Sequence, residues 1–120
     1  MATMNEVIKD LDELKPNVYS EEMKFKWMKR LDGMIASEIM GEEAPEHIYP
    51  DCMDEPLLVG TPYDDIYLLY CSAMVDFHNR EYNDYNNAAS MFSEKLEQFK
   101  AQYIRTHSKS GARNFKNVMG

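Results

Sequence analysis

The segment from residue 57 to residue 107 constrains the fold more than any other part of the sequence. Its second half repeats apolar or small residues at heptad spacing: Tyr85, Ala89, Phe92, Leu96, Phe99 and Tyr103. Its first half has apolar residues three and four apart, which we expect the helix to bury: Ile66, Leu69, Tyr70, Ala73 and Phe77. Because a heptad seam is typical of a helix packed along another helix, the segment predicts two antiparallel helices joined as a hairpin.

Local signals set the expected ends of this hairpin. Thr61 is a predicted N-cap, Pro62 suits the first helical position, and Asp64 stands where a capping side chain can reach back. We expect the turn at residues 78–82, with Asn79 in the left-handed conformation that ends many helices. The second helix of the hairpin is predicted over residues 83–105, because the periodic pattern stops there.

Two further helices are predicted before the hairpin. Thr3 and Glu6 form a capping box, and Lys15 and Pro16 end the first helix. Ser20 is a good N-cap for a second helix with one apolar stripe, and Gly41 is a suitable residue to end it. We therefore expect an all-α fold: a small bundle of about four helices dominated by the hairpin, with an irregular acidic loop and an extended C-terminal tail.

Residues 42–60 form the predicted acidic loop. Three prolines interrupt it, and it contains no Lys or Arg. Leu57, Leu58 and Val59 either form a short strand or pin the loop to the core. A loop of this length in a small domain is often functional. Its candidate functional residues are the acids Glu42, Glu43, Glu46, Asp51, Asp54 and Glu55.

The charge distribution divides the chain into residues 1–107, a helical domain, and residues 108–120, a flexible basic tail. The net charge is −8, which argues against general nucleic-acid binding by the folded body. No acid follows Glu97, and this asymmetry favours self-assembly or docking on an acidic partner. Nucleic-acid contact by the tail is the alternative. The candidate partner-binding residues are Arg105, Lys109, Arg113, Phe115, Lys116, Val118 and Met119.

The sequence predicts no catalytic, cofactor or metal site. His47, Asp51 and Cys52 lie close together, but no second His or Cys pair stands at metal-ligand spacing. Cys71, in the middle of a helix, has no basic neighbour that favours a thiolate, so we expect a buried structural thiol. The first twelve residues lack the apolar core of a signal peptide, and no apolar run is long enough for a membrane span. We therefore expect a cytoplasmic protein with free thiols.

Several short runs resemble one protein family. The runs are Leu57-Leu58-Val59, Pro62-Tyr63-Asp64-Asp65-Ile66-Tyr67, Asp76-Phe77-His78-Asn79-Arg80-Glu81-Tyr82, Tyr85-Asn86-Asn87 and Tyr103-Ile104-Arg105-Thr106-His107. Together they look like the head–tail connector, or adaptor, proteins of long-tailed phages and prophages of Firmicutes-type bacteria. The resemblance covers about the last two-thirds of the folded part, and the first two helices match more loosely.

The resemblance implies a structural virion protein without enzymatic activity or cofactor. Connectors of this kind are helical bundles that form a ring, commonly of twelve copies, between the portal and the tail. Their C-terminal segments dock on the portal protein, and their loops line a channel through which DNA passes without sequence-specific binding. The resemblance therefore implies that the six acids of the predicted loop face this channel. The expected partners are further copies of the chain, the portal protein and a tail-completion or stopper protein. The expected location is the head–tail interface of the virion, after assembly in the host cytoplasm.

Two other classes of function fit the same residues. The first is a small acidic inhibitor or regulator of a host protein, which could mimic DNA if its acids covered one rigid helical face. The second is another virion assembly component, such as a tail-completion protein or an assembly chaperone. An enzyme is a third and weaker alternative, because no catalytic constellation is present in the sequence.

Overall fold

Four helices make up the structure, a computed structural model that describes the backbone of residues 2–119 and the side chains of residues 2–107. They are α1, Met4–Leu14; α2, Glu21–Met34; α3, Ile66–His78; and α4, Tyr82–Met119. A π-helical turn, Ile35–Met40, prolongs α2, and a short 3-10 helix, Asp51–Asp54, lies in the acidic loop. Within residues 2–119 the only β pairing is an isolated bridge between Thr3 and Pro56. The predicted all-α bundle is confirmed.

The predicted caps of α1 and α2 are present. The Thr3 hydroxyl accepts a hydrogen bond from the backbone N–H of Glu6 at 3.2 Å, and the Ser20 hydroxyl accepts one from Met23 at 3.1 Å. Each cap satisfies a backbone donor that the first helical turn leaves unpaired. At the other end of the second helical segment, Gly41 has a φ of 67°, the left-handed conformation that glycine adopts without steric cost.

The predicted hairpin is formed by α3 and α4, which pack antiparallel. Ring contacts mark the register: Phe77 lies 5.4 Å from Tyr85, and Tyr70 lies 5.2 Å from Phe92, between ring centroids. Further along, Tyr63, just before α3, meets Phe99 at 5.9 Å. The seam residues of α4 are all buried or half-buried, as the heptad spacing predicts.

α3 is the central helix of an up-and-down bundle, and it packs against α1 and α2 as well as α4. Tyr67, Cys71 and Val75 are buried on successive turns, within the core that α1 and α2 also line. Phe77 is predicted to be buried, but 47% of it is exposed. Phe77 lies in the last turn of α3, where Tyr82 and Tyr85 cover only part of its ring.

The predicted start of α3 is wrong, because the helix begins at Ile66 and Thr61 is not its N-cap. Backbone bonds from Tyr63 to Gly60 and from Ile66 to Tyr63 hold residues 60–66 in consecutive turns. The Tyr67 hydroxyl explains this path, because it accepts the backbone N–H of Val59 at 2.8 Å. The chain therefore folds over the first turn of α3 before it enters the helix.

The turn between α3 and α4 lies within the predicted residues 78–82, but its left-handed residue comes one position later than predicted. Arg80, with a φ of 62°, takes the left-handed conformation expected of Asn79. The backbone N–H of Glu81 bonds to the carbonyl of Asp76 at 2.9 Å, the six-to-one bond of a Schellman motif. The Asn79 side chain instead accepts a hydrogen bond from the Tyr19 hydroxyl at 2.6 Å.

α4 continues past Arg105, where the sequence pattern ends, to Met119. No proline follows Pro62, so no residue in this stretch lacks the backbone donor that a helix needs. Tyr103 is the last residue of the described part of α4 that packs against the core. The flexibility predicted for residues 108–120 stays a prediction, because their side chains lie outside the described residues.

The acidic loop is pinned to the body rather than projecting from it. Leu57 and Val59 are buried but form no strand, and Cys52 and Met53 are buried beside them. The backbone N–H of Leu57 bonds to the carbonyl of Ala2 at 2.9 Å, which fixes the end of the loop next to α1. Of the two sequence interpretations for residues 57–59, pinning to the core is confirmed. None of the helices within the described residues has the length and apolar character that crossing a bilayer requires.

The N-cap of α2 provides a test of this local structure. Ser20→Ala is expected to lower the free energy of unfolding by about 1 kcal/mol, because the Met23 N–H loses its partner. Urea denaturation followed by circular dichroism measures the difference. Ser90→Ala is the matched control, since Ser90 is exposed within α4 and alanine favours a helix. An equal effect at both positions contradicts the assigned cap.

Candidate functional site

A buried polar cluster, the Asp32 junction, joins α2, α3 and the acidic loop. Asp32 is fully buried, and its Oδ1 accepts a hydrogen bond from the Tyr67 hydroxyl at 2.6 Å. Its Oδ2 lies 2.9 Å from Nε2 of His47 and accepts the backbone N–H of Leu58 at 3.2 Å. Both oxygens of the carboxylate are therefore used, which is what a buried charge requires.

The Tyr67 hydroxyl is fixed as a hydrogen-bond donor in this cluster. Burial, followed by the negative charge of Asp32, raises the pKa of Tyr67 far above its ordinary value. The phenol therefore stays protonated, donates a hydrogen bond to Asp32 and accepts one from the backbone N–H of Val59. Within the described residues, every buried side-chain nitrogen or oxygen has a hydrogen-bond partner. The geometry positions the loop, and both oxygens of the fully buried Asp32 carboxylate are engaged within the protein.

Sequence reasoning missed this cluster because its members are far apart along the chain. Asp32, His47 and Tyr67 come from a helix, a loop and another helix, and no spacing rule connects them. One signal was available: Asp32 stands four residues after Met28, on the apolar stripe of α2. A carboxylate on a buried stripe requires a buried partner, and His47 is the only histidine in the acidic loop.

The six acids predicted as channel-facing all lie on the surface. The residues Glu42, Glu43, Glu46, Asp51, Asp54 and Glu55 are exposed. Two contacts hold the loop that carries them: the Tyr49 hydroxyl donates to Glu21 at 2.8 Å, and the Asn5 amide donates to Asp54 at 2.6 Å. These two hydrogen bonds hold the loop against α1 and α2, and its acidic side chains point into solvent. Their exposure to a DNA channel stays a prediction.

A second exposed feature lies at the end of the bundle where α1 leads into α2 and α3 turns into α4. Leu14 is 72% exposed, Val18 94%, Phe77 47% and Tyr82 54%, and we call these four residues the apolar tip. Two interactions place the two connections side by side: Tyr19 bonds to Asn79, and the Lys15 ammonium lies 2.6 Å from the Asp76 carboxylate. The sequence analysis missed the tip because it assigned Phe77 to the core.

Beside the apolar tip, Asp76, Glu81 and Asp84 bring one carboxylate oxygen each within 4.8 Å of one another, close enough to hold a cation. The Lys15 ammonium is already bound to both oxygens of Asp76, at 2.6 Å. Lys15 reaches across 61 residues of sequence to do so. This cluster therefore supplies an ion pair that ties the first loop to the hairpin turn.

Two histidines and one cysteine, His47, His78 and Cys71, have structural roles in the fold. His47 points to Asp32, so it does not join Asp51 and Cys52 in a metal site. Cys71 is buried, and burial raises the pKa of its thiol to about 12, in agreement with the predicted inert cysteine. His78 stacks on Trp27 with ring centroids 5.8 Å apart and an angle of 8° between the planes.

Of the predicted partner-binding residues, only Arg105 belongs to the part of the chain with described side chains, and it is exposed. It lies on α4 beyond Tyr103, next to Ile104, which is 50% exposed. The others lie outside the described side chains: Lys109, Arg113, Phe115, Lys116, Val118 and Met119. The structure therefore places the base of the predicted docking segment at the end of α4 remote from the apolar tip.

Comparisons of the chain with protein-family models, with curated proteins and with solved structures find no match.

Removing one hydroxyl tests the Asp32 junction. Tyr67→Phe leaves Oδ1 of Asp32 and the N–H of Val59 without a partner, and it is expected to reduce the free energy of unfolding by about 3 kcal/mol. Chemical denaturation at neutral pH measures this loss. Tyr63→Phe is the matched control, because the Tyr63 ring packs on Phe99 outside the junction. Equal stability of the two variants contradicts the role given to the Tyr67 hydroxyl.

The buried thiol of Cys71 predicts a loss of stability at alkaline pH. Its folded pKa, about 12, is above the ordinary value of 9.0, so the folded state holds the proton more tightly. The stabilisation is complete below pH 9 and declines as the pH rises from 9 towards 12, by about 1.4 kcal/mol per pH unit. Unfolding free energies measured between pH 8 and pH 10 are expected to fall less steeply in Cys71→Ala. An unchanged slope contradicts the assignment.

Proposed function

We propose that the protein is a structural assembly protein, a head–tail connector subunit of a long-tailed phage, which forms a ring between the portal and the tail. The carrying observation is the charge asymmetry between an acidic body and a basic end of α4. The six acids of the loop are exposed on the body, whereas no acid follows Glu97 in α4. Opposite charges on separate surfaces favour association with neighbours over a closed monomer.

The packing of the bundle supports a role in which the subunit keeps its shape on assembly. Tyr67 and Cys71 are buried in the centre of the molecule, and aromatic side chains of α3 and α4 pack against each other along the hairpin. The Asp32 junction fixes the acidic loop to the same body. Pre-organised surfaces lose less conformational entropy on binding, and a ring of many copies repeats this advantage at every interface.

The acidic loop fits the lining of a DNA channel. Its carboxylates are exposed, and they repel the phosphates of a passing duplex, so the duplex does not adhere to the wall. The resemblance of the sequence to connector proteins supports this role for the loop. The predicted partners remain further copies of the chain, the portal protein and a tail-completion or stopper protein. DNA would pass through the channel without sequence-specific binding.

A second candidate, an acidic inhibitor or regulator of a host protein, is favoured by one feature of α1. Glu6 and Asp10 line a shallow groove with Asp64 and Asp65, so these acids form a patch on rigid elements in addition to the loop. A DNA mimic requires such a patch. Competition of the protein with duplex DNA for a DNA-binding host protein supports this candidate, whereas binding to portal rings supports the connector.

Portal binding by the C-terminal segment tests the connector proposal. Lys109→Gln/Arg113→Gln/Lys116→Gln removes three positive charges from the predicted docking segment. Its affinity for purified portal rings of the same phage, measured by native mass spectrometry and sedimentation, is expected to fall at least about ten-fold.

The control is Lys9→Gln/Lys26→Gln/Lys29→Gln, which removes the same charge from exposed positions of α1 and α2. We expect its portal binding to match that of the unmodified protein. Equal weakening in both triple variants points to a general charge effect. A wild-type protein that does not bind portal rings at all overturns the connector assignment.

A further inference from the structure

The apolar tip and the C-terminal segment of α4 lie at opposite ends of the molecule. Tyr85, near the start of α4, packs on Phe77 at the tip, whereas Phe99 packs on Tyr63 at the other end of α3. α4 continues from there to Met119 in the same direction. The helix therefore carries its C-terminal segment away from the tip of its own chain, and only another molecule can bring the two together.

The apolar tip is surrounded mainly by acidic side chains. The two lysines near it are engaged, since Lys15 pairs with Asp76 at 2.6 Å and Lys24 pairs with Asp12 at 2.7 Å. Four exposed acids lie close in sequence to the tip or to the two connections that form it: Glu13, Glu22, Glu81 and Asp84. Arg80 is an exposed base in the same turn as Glu81. An occupant of this surface therefore needs apolar side chains flanked by positive charges.

The C-terminal segment of the same chain has this chemistry. From Ile104 onward it contains four bases and no acid, interspersed with apolar residues. The bases are Arg105, Lys109, Arg113 and Lys116, and the large apolar residues are Ile104, Phe115, Val118 and Met119. Its charge and its apolar residues complement the tip. Mutual repulsion disfavours the alternative contact, in which two acidic tips meet each other.

We propose that, in the isolated protein, residues 104–120 of one copy dock on the apolar tip of a second copy. This proposal rests on the proposed assembly function, because it specifies the surface through which copies join. The contact forms in the absence of a portal ring, which would offer the same segment a different surface. The interface is heterologous, since the two copies contribute different surfaces. When two copies join, one of them keeps an unoccupied tip and the other an undocked segment. Further copies can therefore add until a ring closes.

The experiment uses two full-length variants, each defective in one half of the contact. Leu14→Lys/Val18→Lys replaces the two most exposed apolar residues of the tip with charges that repel the segment. Lys109→Glu/Arg113→Glu/Lys116→Glu reverses the charge of the segment. Light scattering and native mass spectrometry measure the mass of each protein, and circular dichroism checks that each variant stays helical.

The wild-type protein is expected to form oligomers that dissociate as salt is added, since salt screens exposed charges. In each variant, the concentration required for half-assembly is expected to rise at least about ten-fold. An equimolar mixture of the two variants is expected to form dimers and nothing larger, because it restores one intact tip facing one intact segment. A two-fold symmetric contact between identical surfaces does not produce this complementation.

The matched control is Ile48→Lys/Met91→Lys, which changes two exposed apolar residues outside the tip and adds the same charge. It is expected to assemble like the wild-type protein. A monomeric wild type, a control as defective as the tip variant, or a mixture without dimers each overturns the proposed contact. A monomeric wild type that binds portal rings leaves the connector function standing, whereas oligomers that ignore portal rings support the contact and oppose that function.

Discussion

One buried carboxylate, that of Asp32, connects the parts of the molecule that sequence separates. It lies on α2 and is met by His47 from the acidic loop, by the backbone of Leu58 and by Tyr67 from α3. A buried charge is costly unless its partners are in place. The loop can therefore adopt this path only when the helices are packed, and the packed helices need the loop to satisfy Asp32.

This mutual requirement explains why a long loop with three prolines is a defined surface. Cys52, Met53, Leu57 and Val59 are buried along its length, and the Asp32 junction fixes the chain between them. The acids then face outward because the apolar residues face inward. A surface defined in this way presents the same charges in every molecule, as the proposed assembly function requires.

Much of the fold could be predicted from the sequence because local chemistry determines it. Thr3 and Ser20 cap their helices as their side chains dictate, and the heptad seam of α4 packs on α3. The start of α3 could not be predicted, because the hydroxyl of Tyr67 draws the backbone of Val59 over the first turn. Such a contact depends on tertiary structure and overrides the favourable cap chemistry of Thr61.

The candidate surfaces were only partly predictable for a related reason. The exposed acids and the basic end of α4 follow from composition alone, whereas the apolar tip arises where two connections meet in space. Phe77 illustrates the difference: its spacing is that of a core residue, but α3 ends one residue later and leaves its ring half exposed. Helical periodicity gives the direction of a side chain without showing whether a neighbour reaches it.

The single tryptophan of the chain occupies a useful place. Trp27 is buried against Tyr19 and stacked on His78, directly beneath the turn that carries the apolar tip. Its indole fluorescence therefore originates from one known position, and it responds to the packing of the Tyr19 and His78 rings against the indole. The protein thus contains an intrinsic optical probe of this end of the bundle, which reads out displacement of the turn without any attached dye.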